Sequence, residues 1–272
     1  MKHTVVRIGS IAMGHKQPLT LIAGPCVIED RRSCMALASR LVRISRSQKI
    51  PLIFKASFDK ANRTSMHAFR GPGLSRGLDI LAEIKARHGV PVLTDVHEPG
   101  QVAAAAEVCD VLQLPAFLCR QTDLVVALGE SGRTVNLKKA QFMAPWDMRP
   151  VIEKVEQTGN RNILLTERGT SFGYNNLVVD FRSLLILRET GYPVVFDATH
   201  SVQRPGGSGT RSSGDGRWAP ALARAAVAVG CDAVFMETHR NPPDALSDAD
   251  NAVPAASLGR IWRDLSAVEK SV

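Results

Sequence analysis

The sequence predicts a (β/α)8 barrel of the TIM type, covering residues 1–272 as a single domain, with a short N-terminal β-hairpin at 4–14. Three observations carry this expectation. Eight short apolar runs recur along the chain, helix-length stretches separate them, and Gly or Pro punctuates the joins. A doubly wound open sheet is the competing fold.

The hairpin comes first: Val5–Ile8 and Ile11–Met13 flank Gly9-Ser10, a turn pair that would let the two strands plug the bottom of a barrel. The eight runs are then Leu19–Gly24, Leu52–Lys55, Val90–Asp95, Val111–Leu114, Thr134–Lys138, Asn162–Thr166, Pro193–Asp197 and Asp232–Glu237. Most are rich in Val, Ile and Leu on successive residues, the pattern of parallel strands buried on both faces. Helical periodicity is clearest at Cys34–Ser45, Leu74–Ala86 and Trp218–Ala228, each with a polar opposite face. Turn signals stand at Gly71-Pro72-Gly73, at His88 to Pro91 and at Gly191-Tyr192-Pro193. No internal repeat, low-complexity tract or Ser/Gly linker marks a domain boundary.

Composition narrows the class. An apolar fraction of 44% describes a chain able to bury a substantial core, and no run approaches a membrane span. The first residues hold no uninterrupted apolar stretch of secretory type. Five cysteines without close pairing suggest reduced thiols, hence a cytoplasmic protein. A net charge of +8 raises nucleic acid as a partner, but the basic residues are scattered and aromatics make up only 5%, leaving few stacking platforms. Small anionic substrates account for the excess better.

The chemistry sits where the runs end. Lys55 ends an apolar strand, where an unpaired cation is costly to bury, and Lys138 and Arg168 follow apolar runs in the same way. The segment from Phe54 to Ser65 offers Lys55, Lys60 and Arg63 together with the donors Ser57 and Asn62, a set suited to phosphates and carboxylates. A solvated loop is the bland alternative. Asp95 ends the third run and either orients a neighbour or substrate hydroxyl or caps the next helix.

Cys26, His200, Glu237 and Asp248 follow the first, seventh and eighth runs, and ring closure would bring those strand ends together. Thiolate, imidazole and two carboxylates suit a borderline divalent ion such as Zn²⁺, Fe²⁺ or Mn²⁺. Taken singly, each is as readily a buried small residue or a surface acid. His200 is also a candidate proton carrier. The glycine-rich stretch Arg204–Gly216 matches neither the P-loop nor the dinucleotide fingerprint and reads as a mobile lid, with Asn241–Val253 as a second mobile loop.

Longer motifs make the reading specific. Leu-Ile-Ala-Gly-Pro-Cys at 21–26, Phe-Lys-Ala-Ser-Phe-Asp-Lys-Ala-Asn-Arg at 54–63, Gln-Leu-Pro-Ala-Phe-Leu-Cys-Arg-Gln-Thr-Asp-Leu at 113–124, Asn-Leu-Lys-Lys-Ala-Gln-Phe at 136–142, Phe-Gly-Tyr-Asn-Asn-Leu-Val-Val-Asp at 172–180 and Phe-Asp-Ala-Thr-His-Ser-Val-Gln at 196–203 together resemble the 3-deoxy-D-manno-octulosonate 8-phosphate synthase family. The resemblance implies a homotetrameric barrel that condenses phosphoenolpyruvate with D-arabinose 5-phosphate and water and releases phosphate. The product would feed lipopolysaccharide inner-core synthesis in the cytoplasm. It further implies that Asn62 and Arg63 hold the arabinose phosphate and that Arg120 reaches in from a neighbouring subunit. Lys55, Lys60, Gln113, Lys138 and Arg168 would surround phosphoenolpyruvate.

Cys26 with Ser247-Asp248 resembles the metal-dependent branch of that family, whose ligands match Cys26, His200, Glu237 and Asp248. The nearest alternative is a 3-deoxy-D-arabino-heptulosonate 7-phosphate synthase, which uses erythrose 4-phosphate; its members typically carry Lys-Pro-Arg-Thr where this chain has Lys-Ala-Asn-Arg at 60–63. A non-catalytic sugar-phosphate sensor would keep Arg63 but tolerate loss of the metal set. Two stretches depart from the pattern: His239-Arg240-Asn241-Pro242 in place of His-Pro-Asp-Pro, and Ala249-Asp250-Asn251 in place of Gly-Pro-Ser or Gly-Pro-Asn.

Overall fold

The computed structural model describes residues 3–62, 65–207 and 213–272. Eight parallel strands form a closed ring: β1 (Thr20–Gly24), β2 (Leu52–Lys55), β3 (Val92–Asp95), β4 (Val111–Leu114), β5 (Thr134–Lys138), β6 (Ile163–Glu167), β7 (Val194–Asp197) and β8 (Ala233–His239). Each strand pairs with the next, and the ring closes where β8 lies between β7 and β1, with Asp197 opposite Phe235 and Gly24 opposite Glu237. The open sheet is thereby excluded.

Among the described residues eight α-helices wrap the ring: α1 (Arg31–Gln48), α2 (Leu74–His88), α3 (Pro99–Val108), α4 (Thr122–Glu130), α5 (Met148–Gln157), α6 (Arg182–Arg188), α7 (Ala219–Val229) and α8 (Leu258–Glu269). Several expected bounds move, for local reasons. α1 begins three residues earlier than its apolar periodicity because Asp30 caps it, accepting from Ser33 N at 2.9 Å. β3 starts at Val92, after Pro91, and β7 starts at Val194, after Pro193; proline has no N–H to give a ladder. Trp218 belongs to a 3₁₀ turn ahead of α7.

The hairpin forms as expected, with Val6–Ile8 antiparallel to Ile11–Met13. Its inward residues Val6, Ile8, Ile11 and Met13 pack on Ile22, Ile53, Leu93, Val111, Leu164, Val195 and Phe235, forming an apolar core inside the barrel distinct from the larger one between strands and helices. Because side chains two apart on a strand share a face, the same strands present polar groups one step higher. Ile53 is followed by Lys55, Leu93 by Asp95, Val111 by Gln113, Val195 by Asp197 and Phe235 by Glu237. On β1 the place above Ile22 is Gly24, where a Cβ would stand 1.8 Å from the Lys55 carbonyl oxygen. Strands β1 and β2 approach too closely there for any side chain.

Candidate active site

The polar layer opens into a cavity of about 470 Å³ at the C-terminal rim, lined in part by Lys55, Lys60, Asn62, Asp95, Gln113, Lys138, Arg168, His200 and Asp248. Active sites of such barrels are built at this end, from strand termini and the loops that follow them. Ser57 is buried just beneath, accepting from Lys55 Nζ at 2.9 Å and donating to Asp95 at 2.6 Å. Arg120 is exposed and does not line the cavity. Arg63, and Ser208 to Ser212 of the glycine-rich stretch, lie outside the described residues.

Asp95 caps no helix, since α3 starts at Pro99 with Glu98 at its N-cap. It is a hub instead: Ser57 and Lys60 donate to Oδ2 at 2.6 and 3.2 Å, Gln113 donates to Oδ1 at 2.6 Å, and Lys55 Nζ lies 3.8 Å away. Gln113 in turn accepts from Asn136, and Asn136 from Thr166, at 2.9 and 2.6 Å. A chain of donors thus runs from β6 across to β3. Burial opposes charge on Asp95, but Lys55 and Lys60 outweigh it and hold the carboxyl well below its usual range. Around Lys55 burial wins and lowers its pKa, whereas Cys26, then Asp95, Glu237 and Asp248, overcome burial at Lys60 and raise it. Lys60 is therefore the firmly charged ammonium of the pair.

Lys138 Nζ donates to Asp197 Oδ2 at 2.6 Å. Arg168 is 3% exposed, and only Nη2 has a partner, Gln203 Oε1 at 2.9 Å. Its Nε and Nη1 make no hydrogen bond among the described residues. Burial lowers its pKa, with Asp197 and Asp248 opposing. A buried guanidinium with donors to spare, at the wall of a cavity, has the chemistry to bind an anion.

At the junction of β1 and β8, donor atoms of Cys26, Glu237 and Asp248 all lie within 4.8 Å of one another. The Cys26 thiol sits 2.8 Å from Ser247 Oγ and donates to Asp248 Oδ2 at 3.0 Å. Burial, then Asp248 and Glu237, push its pKa well up. Both Glu237 oxygens are buried without a hydrogen bond among the described residues. Asp248 reaches the site from a left-handed backbone conformation, φ 50°, which aspartate tolerates better than most residues. His200 stands beside this group, its Nε2 3.5 Å from Glu237 Oε1 and its Nδ1 2.8 Å from Asp197 Oδ2. The chemistry of this set suits a divalent cation: a thiol and two carboxylates crowd one another, and the Glu237 oxygens lack a hydrogen bond among the described residues, with Lys55 Nζ 3.6 Å from Oε1.

Reasoning from sequence missed several participants. Asp197, Glu167, Lys139 and Gln203 are all at strand ends or in quoted motifs, yet only their partners show what they do. Lys139 is buried and donates to Ala140 O, Met143 O and Thr170 Oγ1, with Glu167 Oε1 at 3.6 Å, so this pair fixes the loops flanking Arg168. Gln203 ties Arg168 to Asp248, donating to Asp248 Oδ1 at 3.1 Å.

The ring, the polar layer and the cation-lined cavity define a (β/α)8 barrel with a basic pocket at its C-terminal rim, and the DAHP synthetase I family matches residues 3–270. The chain belongs to that family. Within it, the chain is similar to proteins named 2-dehydro-3-deoxyphosphooctonate aldolase. It is 57% identical to that of Trichlorobacter lovleyi, over 97% of both chains. The identity is 58% to that of Granulibacter bethesdensis, over 96% of this chain and 93% of the relative, and 56% to that of Geotalea daltonii, over 98% of both.

Proposed function

We propose that this chain condenses phosphoenolpyruvate with D-arabinose 5-phosphate and water to give 3-deoxy-D-manno-octulosonate 8-phosphate and phosphate, residues 1–272 acting as one barrel unit. The observation that carries the reading is Arg168, a buried cation whose Nε and Nη1 have no hydrogen-bond partner among the described residues, at a cavity shared with Lys55, Lys60 and Lys138. High identity to relatives named for this activity supports the choice of chemistry.

Two anionic substrates must meet, and like charges about 4 Å apart repel by roughly 1 kcal/mol in water but about 4 kcal/mol at a protein-like dielectric of 20. Desolvated lysines and an arginine reverse that sign. In this reading Lys138, Arg168 and Gln113 hold the phosphate and carboxylate of phosphoenolpyruvate, with Lys55 behind them. Asn62 and Arg63 hold the sugar phosphate, and Arg120 joins them from a neighbouring subunit. The methylene carbon forms a bond to the aldehyde carbon as the C=C pair moves. The aldehyde oxygen takes a proton, for which the Lys60 ammonium, kept charged by Asp95, is the donor. Water adds at the adjacent carbon and gives up a proton that restores the Lys60 ammonium, and the hemiketal phosphate then collapses to the ketone by C–O cleavage, its hydroxyl proton leaving with the phosphate.

Cys26, His200, Glu237 and Asp248 would hold a divalent metal, Zn²⁺, Fe²⁺ or Mn²⁺, which when bound supplies Lewis acidity beside the aldehyde and water. With Nδ1 engaged by Asp197, His200 offers Nε2 as its free nitrogen. A homotetramer is part of the same reading. Phe117, Phe142, Trp146 and Phe172 are exposed on the loops that follow β4, β5 and β6, apolar area that an oligomer would cover. The unpaired state of every cysteine suits a reducing cytoplasm, and no helix among the described residues is long and apolar enough to cross a membrane.

The test is phosphate release from phosphoenolpyruvate, with arabinose 5-phosphate and erythrose 4-phosphate run side by side. Turnover with the pentose is the expected result. Turnover with the tetrose alone moves the chain to the alternative synthase, and release with neither sugar leaves only a sensor.

A further inference from the structure

Asp197 enters the scheme above only through its bond to His200 Nδ1, yet it accepts more hydrogen bonds than the other polar-layer carboxylates, Asp95 and Glu237, among the described residues. It is 0% exposed and stands at the end of β7. Its Oδ2 accepts from Lys138 Nζ at 2.6 Å and from His200 Nδ1 at 2.8 Å. Its Oδ1 accepts from the His200 backbone N–H at 3.0 Å and from Thr199 Oγ1 at 3.2 Å. Thr199 Oγ1 in turn accepts from the Glu237 backbone N–H at 3.1 Å. A carboxylate has about four acceptor positions, and all are occupied, so Asp197 has nothing left with which to bind substrate.

We infer that Asp197 is a positioning residue that couples the metal set to the phosphoenolpyruvate pocket, through one oxygen shared by Lys138 and His200. This rests on the proposed function. Two consequences follow from the geometry. The bond to Nδ1 fixes the imidazole tautomer, leaving the Nε2 lone pair facing Glu237, the arrangement by which a carboxylate orients a metal-binding histidine. The same oxygen also restrains the Lys138 ammonium. A cation on Nε2 makes Nδ1–H a stronger donor, draws Asp197 Oδ2 toward the ring and loosens its hold on Lys138, which is then free to turn to an anion. Metal and phosphoenolpyruvate should therefore each strengthen the binding of the other, by the same factor in both directions.

The experiment uses the full chain stripped of metal, with Mn²⁺ affinity measured by competition against a chelator. Phosphoenolpyruvate affinity is measured by calorimetry with and without Mn²⁺. For the wild type, Mn²⁺ should tighten phosphoenolpyruvate binding about fivefold or more. Asp197→Asn keeps the shape of the side chain; it should weaken Mn²⁺ binding about 10- to 100-fold and bring the effect of Mn²⁺ on phosphoenolpyruvate close to none. Lys138→Met gives a second route that does not depend on the first variant folding. Lys138 is no ligand, yet freeing Asp197 for His200 should strengthen Mn²⁺ binding at least threefold, and an unchanged value overturns the inference. In the double variant this gain should disappear, whereas a purely through-space charge effect would persist. If the wild type binds both ligands and Asp197→Asn reproduces its Mn²⁺ affinity and its linkage, the inference is wrong and the proposed function stands. A wild type that binds neither ligand overturns both.

Discussion

Replacing Asp95 by Asn tests the charge balance of the polar layer directly. In the native protein this carboxylate faces Lys60 at 3.2 Å and Lys55 at 3.8 Å, while accepting from Ser57 and Gln113. An amide can keep its oxygen toward Gln113, but its NH₂ then confronts Ser57 and Lys60; Lys60 loses its paired carboxylate, and Lys55 is left with Glu237 at 3.6 Å. Removing one partner of a buried pair costs about 3–5 kcal/mol. At about 2–4 °C per kcal/mol for a chain of this order of size, the midpoint of thermal unfolding should fall by about 6–20 °C. The folded carboxyl is held well below its ordinary value. Its contribution is therefore complete above the unfolded value of about 3.9 and is lost as pH falls through the depressed folded value. The gap between wild type and variant should hold from neutral pH down to about pH 5 and close only in stronger acid. Phosphoenolpyruvate should restore part of the loss, because its charges replace the missing one, while turnover drops about a hundredfold through misplacement of Lys60. Differential scanning calorimetry across pH, with and without phosphoenolpyruvate, reads all of this. A variant melting within about 2 °C of the wild type at pH 7 would refute the reasoning.

Other consequences are as direct. Gly24→Ala would drive a methyl group to 1.8 Å from the Lys55 carbonyl oxygen, so the β1–β2 pairing must open; the expected loss is about 3 kcal/mol or more, read from chemical denaturation. Arg168→Ala removes a charged donor from the anion pocket, and at about 1.5–3 kcal/mol for such hydrogen bonds the KM for phosphoenolpyruvate should rise about 10- to 150-fold. Unchanged kinetics in that variant would remove the anion pocket from the account. Exhaustive chelation should abolish activity, with recovery on adding Zn²⁺, Mn²⁺ or Fe²⁺, and full activity without metal would dismiss the ligand set.

The barrel is legible because its strands are apolar runs and most of them also end on a charged residue, Gly24 and Leu114 being exceptions. The short pairs Thr170–Ser171 with Leu177–Val178 and Gln203–Arg204 with Ser213–Gly214 carry no such mark, being two residues long and mostly polar. Helix α3 is nearly as hard to see, since Ala103 to Ala106 give it no polar face to contrast with an apolar one. Within the site, Lys55, Lys138 and Arg168 stood out because a charge after an apolar run needs a reason. The reason itself was hidden, because Lys138 meets Asp197 across 59 positions of chain. Asp95 was visible as an acid at a strand end, but its choice between capping and charge pairing depended on where α3 begins. Asp197 and Lys139 lie in the quoted motifs, but their partners Lys138, His200 and Glu167 are brought to them only by the fold.

The hairpin at the foot of the barrel has a kinetic corollary. With Val6, Ile8, Ile11 and Met13 stoppering the lower end, the cavity as built by the described residues is reached from the rim where the strands end. Whatever sits nearest the stopper must arrive first and depart last, and the second reactant, once seated above, bars its retreat. Order of arrival is then dictated by depth, and a molecule small enough to slip past at the threshold would act as a dead-end inhibitor simply by standing there.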